Sequence, residues 1–286
     1  MGRIIITTES GTDLSVKRAQ QLGIHIFPMH VVMGDLSRED GSFPVTEVFE
    51  YYRNTKKIPT TSAVNPQAYV DYFVHLRQRY PDSDILHIAY TSLASSTWQN
   101  ARTALNELGD DRIFLVDSLN VSGGISLICE KAYELAEQEE RGDIVAELLK
   151  DWIARARVSF LPDTLEYLKA GGRVSNAAYL GASLLRLKPL INIEDGRLVA
   201  SKKYRGSMER VSFEYLREFV ETHRLDHSLF YLFYVEGFSM ELLERLKKEV
   251  MLMGFQKVLV TRCGCVISCH GGPGALGLAG FAQKEV

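Results

Sequence analysis

The chain has 286 residues, enough for two domains of ordinary size. Lysines and arginines total 33 against 36 aspartates and glutamates, and this near balance argues against a broad nucleic-acid-binding surface. Four cysteines in a chain of this length do not indicate the disulfide framework of a small secreted domain.

The first residues predict neither secretion nor lipid attachment. The apolar run at residues 3–8 is too short for a signal peptide, and Ile6 stands where a myristoylation motif has Ser or Thr. No stretch approaches the roughly 18 apolar residues of a membrane-spanning helix. We therefore expect a cytoplasmic protein without a membrane span.

Short apolar runs alternate with longer amphipathic segments in the first half of the chain. In chain order the pattern predicts a strand at 3–8, a helix at 14–23, an extended segment at 24–33, helices at 46–52 and 66–80, a strand at 84–90, a helix at 96–108, a strand at 111–117, and helices at 124–138 and 143–157. Asp13 is the expected cap of the first helix, and Pro66 suits the first position of another.

The second half adds a hairpin to this alternation. The pattern predicts a strand at 158–163, a short helix at 164–172, a hairpin at 190–204, a helix at 208–223, a strand at 227–235, a helix at 239–254 and a strand at 256–262. Asp195-Gly196 is the hairpin turn. The sequence therefore predicts an α/β fold of two domains, 1–157 and 158–286, with largely parallel sheets.

Serine and threonine gather in four predicted loops, TTESGTD, IPTTSAVNP, YTSLASSTW and DSLNVSGG. One interpretation is that Thr61, Ser62, Ser95 and Ser96 only cap helices. The alternative is that hydroxyls and free helix N–H groups form a site for a carboxylate or phosphate at the carboxyl edge of the sheet. The presence of several such loops favours the alternative.

A second candidate segment, SCHGGPGALG, places His270 directly before four glycines in five residues. Glycine at this density lets the backbone approach another group closely. His270 is therefore a candidate ligand contact or base, and the structural alternative is a histidine within a glycine-rich turn.

Six segments, in this order, resemble motifs of the DegV family of bacterial fatty-acid-binding proteins. They are TTESGTDL, PTTSAVNP, TSLASSTWQNA, DTLEYLKAGGRVS, LLRLKPLINIEDGRL and CHGGPGALG. The chain departs from the family motifs at Glu9, Gly11, Ala63-Val64, Ala94 and Ser96, which leaves the hydroxyl positions intact.

The resemblance implies a site for a long-chain fatty acid between two α/β domains. Thr61 and Ser95 fall on the positions that hold the carboxylate, with Ser62 and Ser96 beside them. His270 would donate a hydrogen bond to the carboxylate, and backbone N–H groups from Gly271 onward would close over it. The segments ISLICEKAYELA and AAYLGASLLRL are candidates to line the acyl tunnel.

The resemblance also implies a carrier rather than a catalyst. Some members serve as acyl-carrying subunits of fatty acid kinase, in which a separate subunit binds ATP. This chain has no G-x-x-x-x-G-K-[ST] motif and no predicted cofactor. Arg205, in KKYRG, is a candidate contact with the kinase; the alternative is a solvated surface arginine.

Two other functions remain open at this stage. A serine hydrolase acting on an acyl ester would use Ser95 or Ser118 with His270 as base, but the chain has no G-x-S-x-G motif. A metal site would use Cys263, Cys265, Cys269 and His270, although structural zinc sites usually pair two separated clusters. If this segment is a strand, Cys263 and Cys265 share one face, as plain burial also requires. We expect no metal.

Overall fold

The computed structural model describes residues 4–176, 178 and 187–284. The strands of the first half are β1 (Ile5–Glu9), β2 (His25–Phe27), β3 (His30–Met33), β4 (Leu36–Glu39), β5 (Thr60–Ser62), β6 (Ile85–Ala89) and β7 (Ile113–Asp117). They form a parallel sheet with the order β2-β1-β6-β7 and a small antiparallel sheet with the order β4-β3-β5.

The helices of this half follow the predicted order. They are α1 (Val16–Leu22), α2 (Thr46–Thr55), α3 (Pro66–Arg79), α4 (Thr97–Leu108), α5 (Gly123–Ala136) and α6 (Gly142–Arg155). In α3 the buried residues Tyr69, Phe73 and Leu76 recur at helical spacing, and the Asn65 side chain accepts a hydrogen bond from the third residue of the helix.

Two local predictions for this half are wrong. Ser15, not Asp13, caps α1, because the Ser15 hydroxyl accepts the Arg18 N–H while Asp13 turns inward in a left-handed conformation. The single extended segment at 24–33 is two strands in different sheets. Pro28 lies at the break between them, where a residue without an N–H does not interrupt a ladder.

The second half contains the strands β8 (Ala156–Leu161), β9 (Leu187–Glu194), β10 (Arg197–Arg205), β11 (Leu225–Tyr234), β12 (Lys257–Arg262) and β13 (Leu276–Ala282). They form a six-stranded sheet with the order β10-β9-β8-β13-β11-β12. The helices of this half are α7 (Glu166–Gly171), α8 (Met208–His223), α9 (Met240–Leu252) and α10 (Cys265–Gly271).

The α/β class is confirmed, but strand direction differs between the two large sheets. The first sheet is parallel as predicted, whereas in the second only β11 and β12 pair in parallel. The chain returns through β13 between β8 and β11, and β13 runs antiparallel to both. The predicted hairpin forms β9 and β10, with Asp195-Gly196 at its turn.

The buried helix α5 lies between the two halves. It contacts β1 on one side and β8, β11 and β13 on the other, and residues 123–130 are all buried. The predicted domain boundary between residues 157 and 158 falls inside β8, the first strand of the second sheet. In the described ranges, no helix combines the length and the apolar character that a membrane crossing requires.

The cysteine-rich segment is a helix start rather than a strand. β12 ends at Arg262, and α10 begins at Cys265, so the predicted strand alternation of Cys263 and Cys265 is wrong. His270 consequently lies in the last turn of α10, and the glycine-rich turn comes after it. All four cysteines are buried free thiols.

Candidate functional site

Two of the four predicted hydroxyl loops, IPTTSAVNP and YTSLASSTW, meet at one polar cleft of about 350 Å³. We define this polar cleft by its polar lining residues Thr61, Ser62, Ser95, Ser96, Arg173 and His270. Thr61 and Ser62 lie on β5, and Ser95 and Ser96 lie in the loop between β6 and α4. Arg173 follows α7, and His270 lies in α10. Five of the six predicted site residues therefore line the same opening.

Capping explains few of these hydroxyls. Helix α3 begins at Pro66 and is capped by Asn65, so Thr61 and Ser62 cap nothing. Ser96 occupies the N-cap position of α4, but its side chain makes no capping hydrogen bond. Only the Ser95 hydroxyl accepts a helix N–H, from Thr97 at 3.2 Å. Helix capping therefore does not account for Thr61, Ser62 or Ser96, and all three residues line the polar cleft.

Thr61 and His270 touch across 209 residues of sequence. The Thr61 Oγ1 to His270 Nε2 distance is 2.9 Å. Nδ1 of His270 is buried without a partner among the described residues, and a Cβ added to Gly171 would lie 2.4 Å from it. Since a buried N–H without an acceptor is costly, the contacts favour the tautomer with its proton on Nε2. In that tautomer His270 donates to Thr61, and the Thr61 hydroxyl is free to donate into the cleft.

His270 is a neutral group in this environment. Burial, together with the positive charge of Arg173, lowers the pKa of His270 to about 4. Arg173 itself follows α7, where its guanidinium donates to the Gly171 carbonyl at 2.6 Å. Arg173 is not among the site residues predicted from the sequence, yet it places a cation at the polar cleft. In the sequence, the GGR segment indicates only that a charged residue follows the end of a helix. It does not indicate that this end borders the polar cleft.

Two buried carboxylates hold the helix that carries His270. Asp13 Oδ1 accepts the Gly264 N–H at 2.7 Å, and Asp40 Oδ1 accepts the Cys265 N–H at 2.7 Å. The Ser122 hydroxyl donates to the other oxygen of Asp13. Both carboxylates therefore satisfy N–H groups that the start of α10 leaves unpaired.

The pH dependence of stability tests the role of Asp13 at the start of α10. Burial, opposed by the hydrogen bonds from Gly264 and Ser122, raises the pKa of Asp13 from 3.8 to about 7. The folded chain therefore holds this proton more tightly than the unfolded chain does. Asp13 removes stability as pH rises from about 4 to about 7, on the order of 4 kcal/mol in total.

We expect Asp13→Asn to flatten this pH profile, because the amide cannot ionise and its oxygen still accepts the Gly264 N–H. Urea unfolding at a series of pH values measures the slope. Asp35→Asn, in the exposed turn after β3, is the matched control and should keep the wild-type slope. An unchanged slope in Asp13→Asn would refute the assignment.

An apolar chamber adjoins the polar cleft. We define it by the lining residues Val121, Phe160, Leu198, Phe233, Val235 and Ile267. Tyr90, Leu198 and His270 line both spaces and separate them. The chamber volume is about 40 Å³, room for about three water-sized spheres, so a longer apolar ligand would have to move its walls apart.

The remaining predicted residues lie elsewhere. Gly271 lines the apolar chamber rather than the polar cleft. Arg205 is exposed at the end of β10 and is not among the residues lining either space. Helix α5 does not line the chamber; the two residues before it, Val121 and Ser122, do. Most of AAYLGASLLRL lies outside the described residues.

The contacts of the candidate nucleophiles do not support a serine hydrolase. Ser95 Oγ bonds to Thr97 Oγ1 at 2.7 Å, and Ser118 Oγ donates to the Asn120 carbonyl. His270 bonds to Thr61, and within the described ranges its Nδ1 lacks the orienting acceptor that a catalytic histidine needs. In the same ranges no group of three or more His, Cys, Asp or Glu side chains is placed to hold a metal ion.

Comparison with known proteins assigns the fold to a family. The family model described as DegV matches residues 3–283. The chain belongs to the DegV family. A DegV domain-containing protein of Deinococcus radiodurans is 29% identical over 279 residues, which cover 96% of this chain and 97% of the relative.

Solved DegV structures share the whole architecture. A structure described as fatty acid binding of a DegV family protein from Thermus thermophilus is 26% identical, with a TM-score of 0.85 over 98% of this chain and 100% of that one. A DegV described as a fatty acid binding protein from Bacillus subtilis is 22% identical, with a TM-score of 0.82 over 99% of this chain and 100% of that one. At that identity the second likeness shows the fold alone.

Proposed function

We propose that this DegV protein binds a long-chain fatty acid, with its carboxylate in the polar cleft and its acyl chain in the apolar chamber. The observation that carries the proposal is the junction of the two spaces at Tyr90, Leu198 and His270. Hydroxyl groups lie on one side of this junction and apolar side chains on the other, which matches the two ends of a fatty acid.

The polar cleft suits an ionised carboxylate. The hydroxyls of Thr61 and Ser95 donate to its oxygens, and Arg173 supplies positive charge to the same cleft. His270 acts on Thr61 rather than on the carboxylate directly, because its Nε2 is already 2.9 Å from Thr61 Oγ1. This revises the direct donation that the sequence suggested for His270.

The apolar chamber supplies the binding free energy. Each methylene removed from water contributes roughly 0.8 kcal/mol, and this gain opposes the cost of moving the chamber walls apart. The walls are side chains on several separate elements, including Leu198 on β10 and Ile267 on α10. Widening the chamber therefore requires these side chains to move apart.

The proposed role is to carry the fatty acid to a separate kinase subunit that binds ATP and forms the acyl phosphate. The chain offers a carboxylate site but no phosphate-binding P-loop. We propose the exposed Arg205 as a contact with this kinase. Four free thiols fit a cytoplasmic location, where disulfides are rare.

Native mass spectrometry of the purified protein tests fatty-acid binding. We expect a co-purified lipid with the mass of a long-chain fatty acid, and rebinding of palmitate after delipidation. Methyl palmitate is the matched ligand control, since it keeps the acyl chain and removes the charge that the polar cleft recognises. Equal affinity for acid and ester would refute the head-group assignment, and no binding of either would refute the proposed function.

The kinase step has its own test. The loaded protein, the ATP-binding subunit and Mg-ATP together should give an acyl phosphate that hydroxylamine traps as a hydroxamate. The loaded protein with ATP alone should give none. Arg205→Ala should weaken the three-component reaction while leaving palmitate affinity unchanged; product from this chain alone would contradict the carrier role.

Fatty-acid affinity should be nearly independent of pH across neutrality. The pKa of His270 is lowered to about 4, so the imidazole stays neutral and keeps donating to Thr61 at every pH well above that value. We expect palmitate affinity to be constant within about twofold between about pH 6 and about pH 8. A tenfold change across that interval would show that His270 titrates there and would contradict a neutral His270 that donates to Thr61.

A further inference from the structure

The inner end of the apolar chamber lies against strand β11 of the second sheet. Tyr231 and Phe233 on β11, and Val235 directly after it, point to the same face, because side chains two residues apart along a strand share a face. Phe233 and Val235 line the chamber, whereas Tyr231 does not. The chamber therefore stops at Phe233 along this strand.

The neighbouring strand β13 stops the chamber at the same level. Gly277 is the register partner of Phe233, and Ala279 is the register partner of Tyr231. Gly277 lines the chamber and Ala279 does not. Both strands thus place the inner end of the chamber at the Phe233–Gly277 row.

The Phe233 ring is held between two glycines. A Cβ added to Gly277 would lie 2.0 Å from the ring, and a Cβ added to Gly123, the first residue of α5, would lie 2.3 Å from it. No other residue type fits at either position while the ring stays where it is. The ring therefore fills a slot between the sheet and helix α5.

The next row is closed by a tethered side chain. Tyr231 is buried, and its hydroxyl donates to Glu130 at 3.1 Å. Arg18 and Lys257 pair with the same carboxylate. Space for a longer acyl chain must consequently come from the Phe233 slot rather than from Tyr231.

We propose that Phe233 limits the length of the acyl chain that this site accepts. The inference rests on the proposed fatty-acid site and deepens it. A chain that reaches the Phe233–Gly277 row stops against the ring, and additional methylenes gain no burial. A smaller side chain at 233 opens the slot between Gly123 and Gly277 and lets the chain extend.

Two substitutions with opposite expected effects test this role. Phe233→Leu should shift the preferred acyl chain to greater length, with about a fourfold gain in affinity for each further buried methylene. Gly277→Ala should push the ring into the chamber and shift the preference to shorter chains. In the double variant, Phe233→Leu should restore part of the affinity for long chains that Gly277→Ala removes. Displacement of a fluorescent fatty acid by saturated acids of about 10 to 20 carbons measures each preference.

Phe230→Leu is the matched control. Phe230 lies on the same strand but on the opposite face of the sheet, is fully buried, and packs against Phe219 and Phe255. It should lose stability and keep the wild-type chain-length preference. An unchanged preference in Phe233→Leu, or an equal shift in Phe230→Leu, would overturn the inference. Wild-type protein that binds no acid of any length would instead overturn the proposed function on which it rests.

Discussion

Replacing both Thr61 with Val and Ser95 with Ala should lower palmitate affinity by about a hundredfold or more. A hydrogen bond to a charged group contributes about 1.5–3 kcal/mol, and each substitution removes one donor to the carboxylate. Thr61→Val has a second cost, because it leaves His270 Nε2 without its partner at 2.9 Å. Each single variant should lose roughly tenfold or more, measured by equilibrium displacement of a fluorescent fatty acid.

Two controls separate this effect from general damage. Thr61→Ser keeps the hydroxyl and should bind palmitate within a few-fold of wild type. Thr103→Val makes the same chemical change on the exposed side of α4, where the hydroxyl donates to the Gln99 carbonyl of the same helix. If the double variant binds palmitate as tightly as Thr103→Val does, the carboxylate does not lie in the polar cleft.

Replacing Glu9 with Ala should lower the free energy of unfolding by about 3–5 kcal/mol, because it leaves buried donors without an acceptor. Glu9 and His87 are 0% exposed, with Oε1 of Glu9 2.9 Å from His87 Nε2. The Tyr69 hydroxyl donates to the same oxygen, and the Tyr90 N–H donates to the other at 2.9 Å. Urea unfolding near pH 7 measures the loss.

The lowered pKa of Glu9 also predicts how the stability of the protein falls in acid. Burial alone would raise the pKa of Glu9, but His87 and the hydrogen bonds from Tyr69 and Tyr90 lower it below the ordinary 4.5. The stability that Glu9 contributes is therefore complete above about pH 4.5 and is lost as pH falls through the lowered pKa. Glu9→Gln, which keeps an acceptor oxygen, should cost less than Glu9→Ala near pH 7. Equal stability of Glu9→Ala and wild type there would show that the buried network does not stabilise the fold.

The sequence predicted the elements better than the direction of the strands. Local signals such as Asn65-Pro66 and Asp195-Gly196 marked helix starts and turns correctly, because caps and tight turns depend on a few adjacent residues. Strand direction in the second sheet depends on which distant strands pair. Insertion of β13 between β8 and β11 has no local signal in the chain.

Two predictions about individual residues failed for a related reason. Asp13 resembles a helix cap in sequence, but its carboxylate binds the N–H of Gly264, 251 residues away. The predicted strand alternation of Cys263 and Cys265 does not form, because β12 ends at Arg262 and α10 begins at Cys265. The carboxylates of Asp13 and Asp40 accept the N–H groups at the start of that helix. Such interactions depend on the tertiary fold.

The anchoring of α10 also has a consequence for biosynthesis. The helix that carries His270 is held by Asp13 and Asp40, which leave the ribosome more than 200 residues earlier. The residues of α10 are translated just before β13, the strand that completes the second sheet. A nascent polypeptide that does not yet include α10 therefore carries the hydroxyls of Thr61 and Ser95 but lacks His270, so the lining of the polar cleft is complete only after α10 has been translated.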